Sequence, residues 1–350
     1  MKKNTDSVGL EAKWQSLDPI FILGRQRTGT SIMWRALRAA GFMGFPEGHL
    51  WYDLIQPFAW WRDPEYKSYL REDIFTLGAG RNSILEKRMA LLIDGFHRDL
   101  LSPDLVRWVS KSPGLDSIMV APMLAEMFPQ AQFIFMKRNA IMTVNSTVEY
   151  VSKKRQSRID VDRIFRSTCE HWVRVMRMWR EVRSLLAGRY VEVAQERIVT
   201  VPDQVAREVT IFLHASEWSH AVAEVFKSRR ENTAFPEKSI NDFFYSVNWT
   251  GKQRRMLSDI CGSEMAVWGY PLDFQKPGGP DKKGCTPEEI APLNMESYYH
   301  WIQEQPKYDI RHELQMCKEL LTQIKQGRVM RLLLWLDKVR AKIRAWFPTK

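Results

Sequence analysis

The sequence is poor in cysteine and has no long hydrophobic run. Its four cysteines form no C-x-x-C pair and lie far apart: Cys169, Cys261, Cys285 and Cys317. That spacing does not fit a zinc site or a disulfide framework, and it favours a reducing compartment. No apolar stretch approaches the roughly 20 residues of a membrane-spanning helix. Lys2 and Lys3 are not followed by the apolar segment of a signal peptide. We therefore expect a cytoplasmic protein without a transmembrane anchor.

Acidic residues are also outnumbered. The 350 residues include 52 lysines and arginines against 41 aspartates and glutamates, which gives a formal net charge of +11. A basic excess favours anionic partners, and these include nucleic acid, a membrane surface and a phosphorylated cofactor. Charge alone does not choose among the three, so the choice depends on where individual cations lie.

One stretch near the N-terminus predicts an anion site. Residues 20–23, I-F-I-L, are typical of a buried parallel strand, and the apolar residues after Ser31 recur at helical spacing. Between strand and helix lies a loop bounded by Gly24 and Gly29, with the sequence G-R-Q-R-T-G-T-S. Such a loop turns backbone N–H groups inward, and the helix N-terminus behind it carries partial positive charge. The loop therefore suits a phosphate or a sulfate.

The cations of this loop distinguish two kinds of nucleotide site. A nucleotide-triphosphate P-loop carries lysine where this sequence has Thr30, and the absence of that lysine argues against hydrolysis of ATP or GTP. The cations are Arg25 and Arg27 instead. A cation followed by T-G-T-S resembles the 5′-phosphosulfate loop of sulfotransferases that use 3′-phosphoadenosine 5′-phosphosulfate (PAPS). Gln26 stands where that family more often has proline. The resemblance implies that the loop residues bind the nucleotide: Arg25, Gln26, Arg27, Thr28, Gly29, Thr30 and Ser31.

A second element of the same superfamily follows a later strand. Residues 131–136 are a buried-strand candidate, and Arg138 comes shortly after it, with Ser146 eight residues further on. This spacing resembles the 3′-phosphate site of sulfotransferases, where the arginine and the serine hold that phosphate. Arginine suits the role because its planar fork donates parallel hydrogen bonds. We expect the loop after Leu23 and Arg138 to end adjacent strands and to hold opposite ends of one bisphosphorylated adenosine.

Further motifs extend the resemblance over residues 18–272. Lys111, in K-S-P at a predicted strand end, resembles a lysine that reaches the transferring sulfuryl group. The family implies an α/β fold with a P-loop-like central parallel sheet flanked by helices. We expect an N-terminal tail over 1–17, this domain over 18–275, a linker over 276–295 and a helical extension over 296–350. The second 3′-phosphate loop of many members has no clear counterpart near Arg229, Arg230 and Lys238.

The predicted base lies in the link after the first helix. Residues 41–48 are glycine-rich, and we expect them beyond the carboxyl edge of the sheet, beside the anion loop. Pro113 occupies the place where sulfotransferases of the phenol and steroid type have a catalytic histidine. Glu47-Gly48-His49 resembles the E-x-H element of members that act on carbohydrates, so Glu47 is our first choice as general base and His49 our second. The aromatic residues of 51–69 either line an acceptor pocket or pack as core.

These elements predict a PAPS-dependent sulfotransferase with no metal and no nucleic-acid partner. Its acceptor is a hydroxyl, and we favour a glycan or glycolipid over a small alcohol. A basic amphipathic stripe over 320–347 either packs on the enzyme or a second subunit, or lies on an anionic membrane. Two other readings stay open: a P-loop kinase or NTPase, and a basic non-catalytic protein that binds an anion or a membrane.

Overall fold

A parallel sheet of four strands forms the centre of the molecule. The computed structural model describes residues 11–44, 79–101, 107–154, 160–228 and 244–270, all within the unit Met1–Tyr299. The sheet has the order β2-β1-β3-β4 and all its strand pairs are parallel. Its strands are β1 Ile20–Gly24, β2 Val109–Lys111, β3 Gln132–Lys137 and β4 Tyr190–Ala194.

Helices connect these strands, as parallel pairing requires. In the described ranges they are α1 Thr30–Ala39, α2 Ala79–Leu101, α3 Leu115–Met119, α4 Ala121–Met127, α5 Ala140–Lys154, α6 Val161–Val182, α7 Gln195–Thr200, α8 Pro202–Phe212, α9 Ser219–Ser228 and α10 Gly251–Val267. Short 3₁₀ turns occupy Arg183–Leu186 and Ser216–Trp218. None of the helices in these ranges has the length and hydrophobicity needed to cross a membrane.

The two faces of the sheet bury different side chains. Alternate residues of a strand point to opposite faces, so β1 sends Ile20 and Ile22 to one side and Phe21 to the other. The first side packs in an aliphatic cluster with α1 and α7–α9, which includes Met33, Val209 and Val222. On the other side Phe21 contacts Phe128 and Phe133, and Phe135 stacks on Trp179 of α6 at a centroid distance of 4.3 Å. Both faces are therefore covered, as the uninterrupted apolar strands predict.

The strand order creates a crevice at one place. The chain passes from β1 outward to β2, and it then returns to the other side of β1 to form β3 and β4. In parallel α/β sheets such a reversal leaves an opening outside the carboxyl ends of the two central strands, where ligands bind. Here those strands are β1 and β3, paired in register with Gly24 opposite Met136. The loop after β1 and Arg138 after β3 thus end adjacent strands, as expected.

The α/β class with a central parallel sheet agrees with the sequence-based expectation, and the start of the link after α1 lies at the amino edge of the sheet. The link over 41–48 is expected beyond the carboxyl edge. Its described part, residues 41–44, begins at the amino edge: Met43 forms a parallel bridge with Trp108, at the amino end of β2, and the Val109 N–H donates to the Met43 carbonyl at 2.8 Å. The reason is geometric: α1 starts at the carboxyl edge and runs back along the sheet, so the chain leaves it at the amino edge. Residues 45–48 lie outside the described residues, so the predicted position of Glu47 stays a prediction.

Part of the sequence-based prediction lies outside the described residues. This part comprises Glu47 and His49, the aromatic residues of 51–69, the three basic residues near 229–238, the linker over 276–295 and the extension over 296–350.

Candidate functional site

The loop between β1 and α1 has the backbone shape of an anion nest. Arg27 and Gly29 both have positive φ angles, 72° and 94°, and the residue between them keeps ordinary geometry. Gly29 has little room for a side chain, because an added Cβ would lie 3.2 Å from Cγ of Gln195. At Gly24 an added Cβ would lie 2.5 Å from the Met136 carbonyl oxygen. The two glycines therefore allow the tight turn and its close approach to the neighbouring strands.

Three successive carbonyl groups of this loop are bound by side-chain donors. Thr28 Oγ1 donates to the Arg25 carbonyl at 2.7 Å, Arg25 Nη1 to the Gln26 carbonyl at 3.1 Å, and Arg138 Nη1 to the Arg27 carbonyl at 3.0 Å. The C=O and N–H groups of one peptide unit point in opposite directions. Donors that hold the Arg25 and Gln26 carbonyls therefore turn the N–H groups of Gln26 and Arg27 to the other side, which is the side an anion would occupy. The Thr28 N–H instead donates to the Arg25 carbonyl within the loop, at 3.3 Å.

Arg138 contributes a buried cation to the same place. It is 3% exposed, and its Nε has no hydrogen-bond partner among the described residues. Burial lowers the pKa of Arg138 to about 10, with Glu196 opposing that shift and Arg27 adding to it, so the guanidinium is charged at neutral pH. A buried charged donor without a partner costs free energy, and an anionic ligand would remove that cost. Arg138 is therefore suited to hold an anion.

Arg27 joins the loop to α5. Its Nε donates to Ser146 Oγ at 3.0 Å, and its guanidinium lies over the ring of Tyr150 at 5.0 Å from the centroid. Ser146 and Tyr150 are four residues apart, so they share one face of α5. The structure thus brings Arg27 together with Ser146 and Arg138, although 111 residues separate Arg27 from Arg138 in the sequence.

Lys111 lies beside the loop on the β2 side of β1, whereas Arg138 lies on the β3 side. It ends β2, is 3% exposed, and its Nζ donates to Ser31 Oγ in the first turn of α1 at 3.2 Å. Gln26 holds the loop to the same segment, because its Nε2 donates to the Pro113 carbonyl at 3.0 Å. Loop, lysine and helix N-terminus are therefore adjacent at the carboxyl edge of β1 and β2.

The N-terminus of α5 is fixed by a network around Asn139. The Asn139 side chain accepts a hydrogen bond from the Met142 N–H at 2.8 Å, which caps the helix. Glu196 Oε1 accepts from both the backbone N–H and the side-chain amide of Asn139, at 2.9 and 2.8 Å. On the other side Trp172 Nε1 donates to the Arg138 carbonyl at 2.9 Å. These contacts place Arg138 and Ser146 at a defined separation.

Sequence reasoning missed three residues of this site. Gln195 follows β4, is 6% exposed, and carries an Oε1 that has no hydrogen-bond partner in the described part of the chain. Tyr150 could have been found from its position four residues after Ser146. His171, which contacts Arg25 at 3.1 Å, is 146 residues away in the sequence and leaves no local signal.

The arrangement has the chemistry of a site for a ligand with two anionic ends. One end would meet the loop N–H groups, Arg27 and Lys111, and the other would meet Arg138 and Ser146. In the described ranges of the chain, none of Arg25, Arg27 and Arg138 forms an ion pair with a carboxylate. The charges of Arg27 and Arg138, which lie at the crevice, are thus available to a bound anion.

Comparison with known proteins assigns a family to most of this fold. The model of a sulfotransferase family, Sulfotransfer_3, matches residues 19–220, which is more than half of the chain. No curated protein matches the sequence.

Three solved structures similar to this chain have low identities and TM-scores. The sulfotransferase domain of the Synechococcus PCC 7002 olefin synthase is 18% identical, with 63% of this chain and 90% of that chain covered and a TM-score of 0.37. Sulfotransferase STF9 from Mycobacterium avium is 12% identical, with coverages of 76% and 80% and a TM-score of 0.44. Retinol dehydratase in complex with androsterone and the inactive cofactor PAP is 14% identical, with coverages of 62% and 67% and a TM-score of 0.33.

Proposed function

The chain belongs to the sulfotransferase family, and from that premise we propose that it transfers the sulfuryl group of PAPS to an acceptor hydroxyl. The observation that carries the proposal is the meeting of Arg27, Ser146 and Arg138 at the carboxyl ends of two adjacent strands. A ligand with phosphate groups at both ends of a nucleoside requires two anion sites in one crevice. The cations and the loop N–H groups supply both.

Each end of the nucleotide has its own residues in this proposal. The loop over 24–31, with Arg27 and Lys111, holds the 5′-phosphosulfate, while Arg138 and Ser146 hold the 3′-phosphate. The unpartnered Nε of buried Arg138 supports this assignment, because a phosphate oxygen would complete its hydrogen bonding. Arginine at this position also suits a phosphate better than lysine would, since it can donate two bonds at once.

The chemistry follows from where charge develops. PAPS supplies the sulfuryl group, and in-line transfer leaves negative charge on the 5′-phosphate side. In this proposal Arg27, Lys111 and the loop N–H groups lie on that side, where donors already in place would stabilise the charge without reorganisation. The acceptor hydroxyl must lose its proton on the opposite side, which calls for a base.

We propose Glu47 as that base, with His49 as second choice. Replacement Glu47→Gln keeps the size of the side chain but removes its basicity, so turnover should fall by about 10²- to 10⁴-fold. Binding of adenosine 3′,5′-bisphosphate should change little, because the base faces the acceptor. Turnover with PAPS and calorimetric titration with the bisphosphate measure the two effects. Full activity of Glu47→Gln, together with loss of activity in His49→Gln, would move the role to His49.

Ligand-induced stabilisation tests the function as a whole. We expect adenosine 3′,5′-bisphosphate to raise the unfolding temperature of the protein, and ATP and a short oligonucleotide to raise it much less, since a ligand stabilises only the state it binds. A larger effect of ATP with magnesium would favour a kinase or NTPase. A larger effect of the oligonucleotide would favour a nucleic-acid-binding protein.

The acceptor class is also part of the proposal. The E-x-H element at 47–49 and the aromatic residues of 51–69 favour a glycan or glycolipid hydroxyl over a small alcohol. Incubation of the enzyme and PAPS with members of both classes, followed by mass spectrometry for an added sulfonate, identifies the class. Sulfonation of small alcohols alone would contradict the glycan assignment.

A further inference from the structure

The two arginines of the anion loop differ in what their side chains contact. Arg27 reaches Ser146 on α5 beside the crevice. Arg25 is 5% exposed, and its Nε donates to His171 Nδ1 on α6 at 3.1 Å. Arg25 Nη1 donates to Thr147 Oγ1 on α5 at 3.1 Å and to the Gln26 carbonyl at 3.1 Å. A single side chain thus links the loop to two helices.

The contact with His171 defines the state of that imidazole. Because Arg25 is always a donor, His171 Nδ1 must accept, so the ring is neutral and its proton is on Nε2. Burial lowers the pKa of His171 to about 4, and the neighbouring charges of Arg25 and Arg174 act in the same direction. The other titratable groups that face Arg25 are the buried thiols Cys169 and Cys261. His171 is therefore a neutral acceptor at physiological pH.

The strained part of the loop lies directly after the carbonyl that Arg25 holds. Arg27 has a φ angle of 72°, in the left-handed region that arginine seldom adopts. Such a conformation persists only when surrounding contacts fix it. Here the two peptide carbonyls on either side of that angle are held, Gln26 O by Arg25 and Arg27 O by Arg138.

We propose that Arg25 and His171 are positioning residues of the anion loop. They hold the Gln26 carbonyl away from the crevice, which keeps the Arg27 N–H turned toward the bound anion. Thr147 completes the support from α5, one residue after Ser146. In this account Arg25, which the loop motif predicts as a nucleotide ligand, acts from behind the loop and does not touch the nucleotide. The effect on activity rests on the proposed function.

A pair of substitutions at His171 tests the role. His171→Asn keeps an acceptor at the position of Nδ1, whereas His171→Leu removes it and leaves Arg25 with an unbonded Nε. We expect His171→Leu to weaken binding of adenosine 3′,5′-bisphosphate by about tenfold, since a hydrogen bond to a charged group is lost, and to speed amide exchange of the peptide that covers 24–31. His171→Asn should restore both values to within about threefold of the wild type.

A matched control separates this role from general destabilisation. His97 is also a buried histidine, 2% exposed, but it stacks on Trp108 at the amino end of β2. His97→Leu should lower the unfolding temperature without changing ligand affinity or exchange of the loop. Equal effects of His171→Leu and His171→Asn on the loop, or a loop effect of His97→Leu as large as that of His171→Leu, would overturn the proposal.

A second pair keeps the test decisive if His171→Leu does not fold. Thr147→Val removes the hydroxyl that accepts from Arg25, and Thr147→Ser keeps it. The proposal predicts faster loop exchange in the valine variant only, and identical exchange in both would contradict it. Loop exchange is measured without ligand, so it decides the positioning role even if the wild-type protein does not bind the bisphosphate, a result that would count against the proposed function alone.

Discussion

The two edges of the sheet use arginine in opposite ways. At the amino edge, Arg107 donates to the Asp18 and Leu213 carbonyls at 2.9 Å each and to Gln132 Oε1 at 2.6 Å, and it forms an ion pair with the Asp18 carboxylate at 2.8 Å. At the carboxyl edge, Arg138 uses Nη1 for the Arg27 carbonyl, and its Nε has no partner in the described residues. All three nitrogens of the Arg107 guanidinium donate to the protein, whereas Nε of Arg138 does not.

This difference identifies the functional edge on physical grounds. Arg107, with a protein acceptor on each nitrogen and a carboxylate beside it, stabilises the fold. Arg138, which is buried and has an Nε without a partner in the described residues, does not stabilise the fold in this way, because the free-energy cost of its desolvation is incompletely compensated. Its presence is explained if its remaining donors serve a ligand. Under the proposed function, the same residue type contributes to folding at one edge and to binding at the other.

The largest expected effect on ligand affinity is that of the substitution Arg138→Met. Arg138→Met should weaken binding of adenosine 3′,5′-bisphosphate by about 100-fold, because it removes a charged donor pair from the phosphate. The free energy of unfolding should stay within about 1 kcal/mol of the wild type, since an incompletely bonded buried charge is lost as well. Calorimetric titration and urea denaturation measure the two quantities. A large loss of stability with unchanged affinity would contradict this comparison, because Arg138 would then stabilise the fold and not bind the ligand.

Arg107→Met is the matched change at the amino edge, with the opposite expected outcome. It leaves Gln132 Oε1 and the Leu213 carbonyl without their donor, so the free energy of unfolding should fall by about 2 kcal/mol. Affinity for the bisphosphate should stay within about twofold of the wild type, because Arg107 lies at the other end of the strands. The same two measurements apply. A tenfold loss of affinity in a folded Arg107→Met protein would show that the edges are not independent.

The smallest expected effect is the contribution of His171 to the pH dependence of stability. The pKa of His171 is lowered by burial to about 4 from an ordinary value of 6.5, so between these values the unfolded chain binds a proton that the folded protein does not. Stability should therefore fall as the pH drops from 7 to 5. His171→Asn should reduce that fall by on the order of 1 kcal/mol. Urea denaturation of the wild type and of His171→Asn at pH 5, 6 and 7 measures this difference. If the free energy of unfolding falls equally in both proteins, His171 does not contribute to the pH dependence.

Much of the fold is predictable because its signals are local. Uninterrupted apolar runs predict β1 and β3, with bounds that differ from the observed ones by one residue. The resemblance of both motifs to the PAPS sites of sulfotransferases predicts that the loop at 24–31 and Arg138 end adjacent strands. The sheet order confirms that these two strands are neighbours.

The remaining features depend on tertiary contacts. Nothing in R-Q-R shows that Arg25 points inward and Arg27 toward α5, because the φ angle of Arg27 and the distant His171 decide it. Glycine content after α1 indicates a turn but not the edge of the sheet at which that turn begins, and the chain leaves α1 at the amino edge. Gln132, which accepts a hydrogen bond from Arg107, lies on β3, 25 residues further along the chain. The contacts of Arg107 therefore also have no local signal in the sequence.

The assignment of Arg138 to the 3′-phosphate is tested most directly by comparing adenosine 3′,5′-bisphosphate with adenosine 5′-monophosphate in calorimetric titrations. The wild-type protein should prefer the bisphosphate by about 100-fold, the scale of a charged phosphate contact. Arg138→Met should bind the two nucleotides with similar affinity, because the group that distinguishes them has lost its main contact. A variant that keeps the full wild-type preference would contradict the account, since the 3′-phosphate would then bind elsewhere.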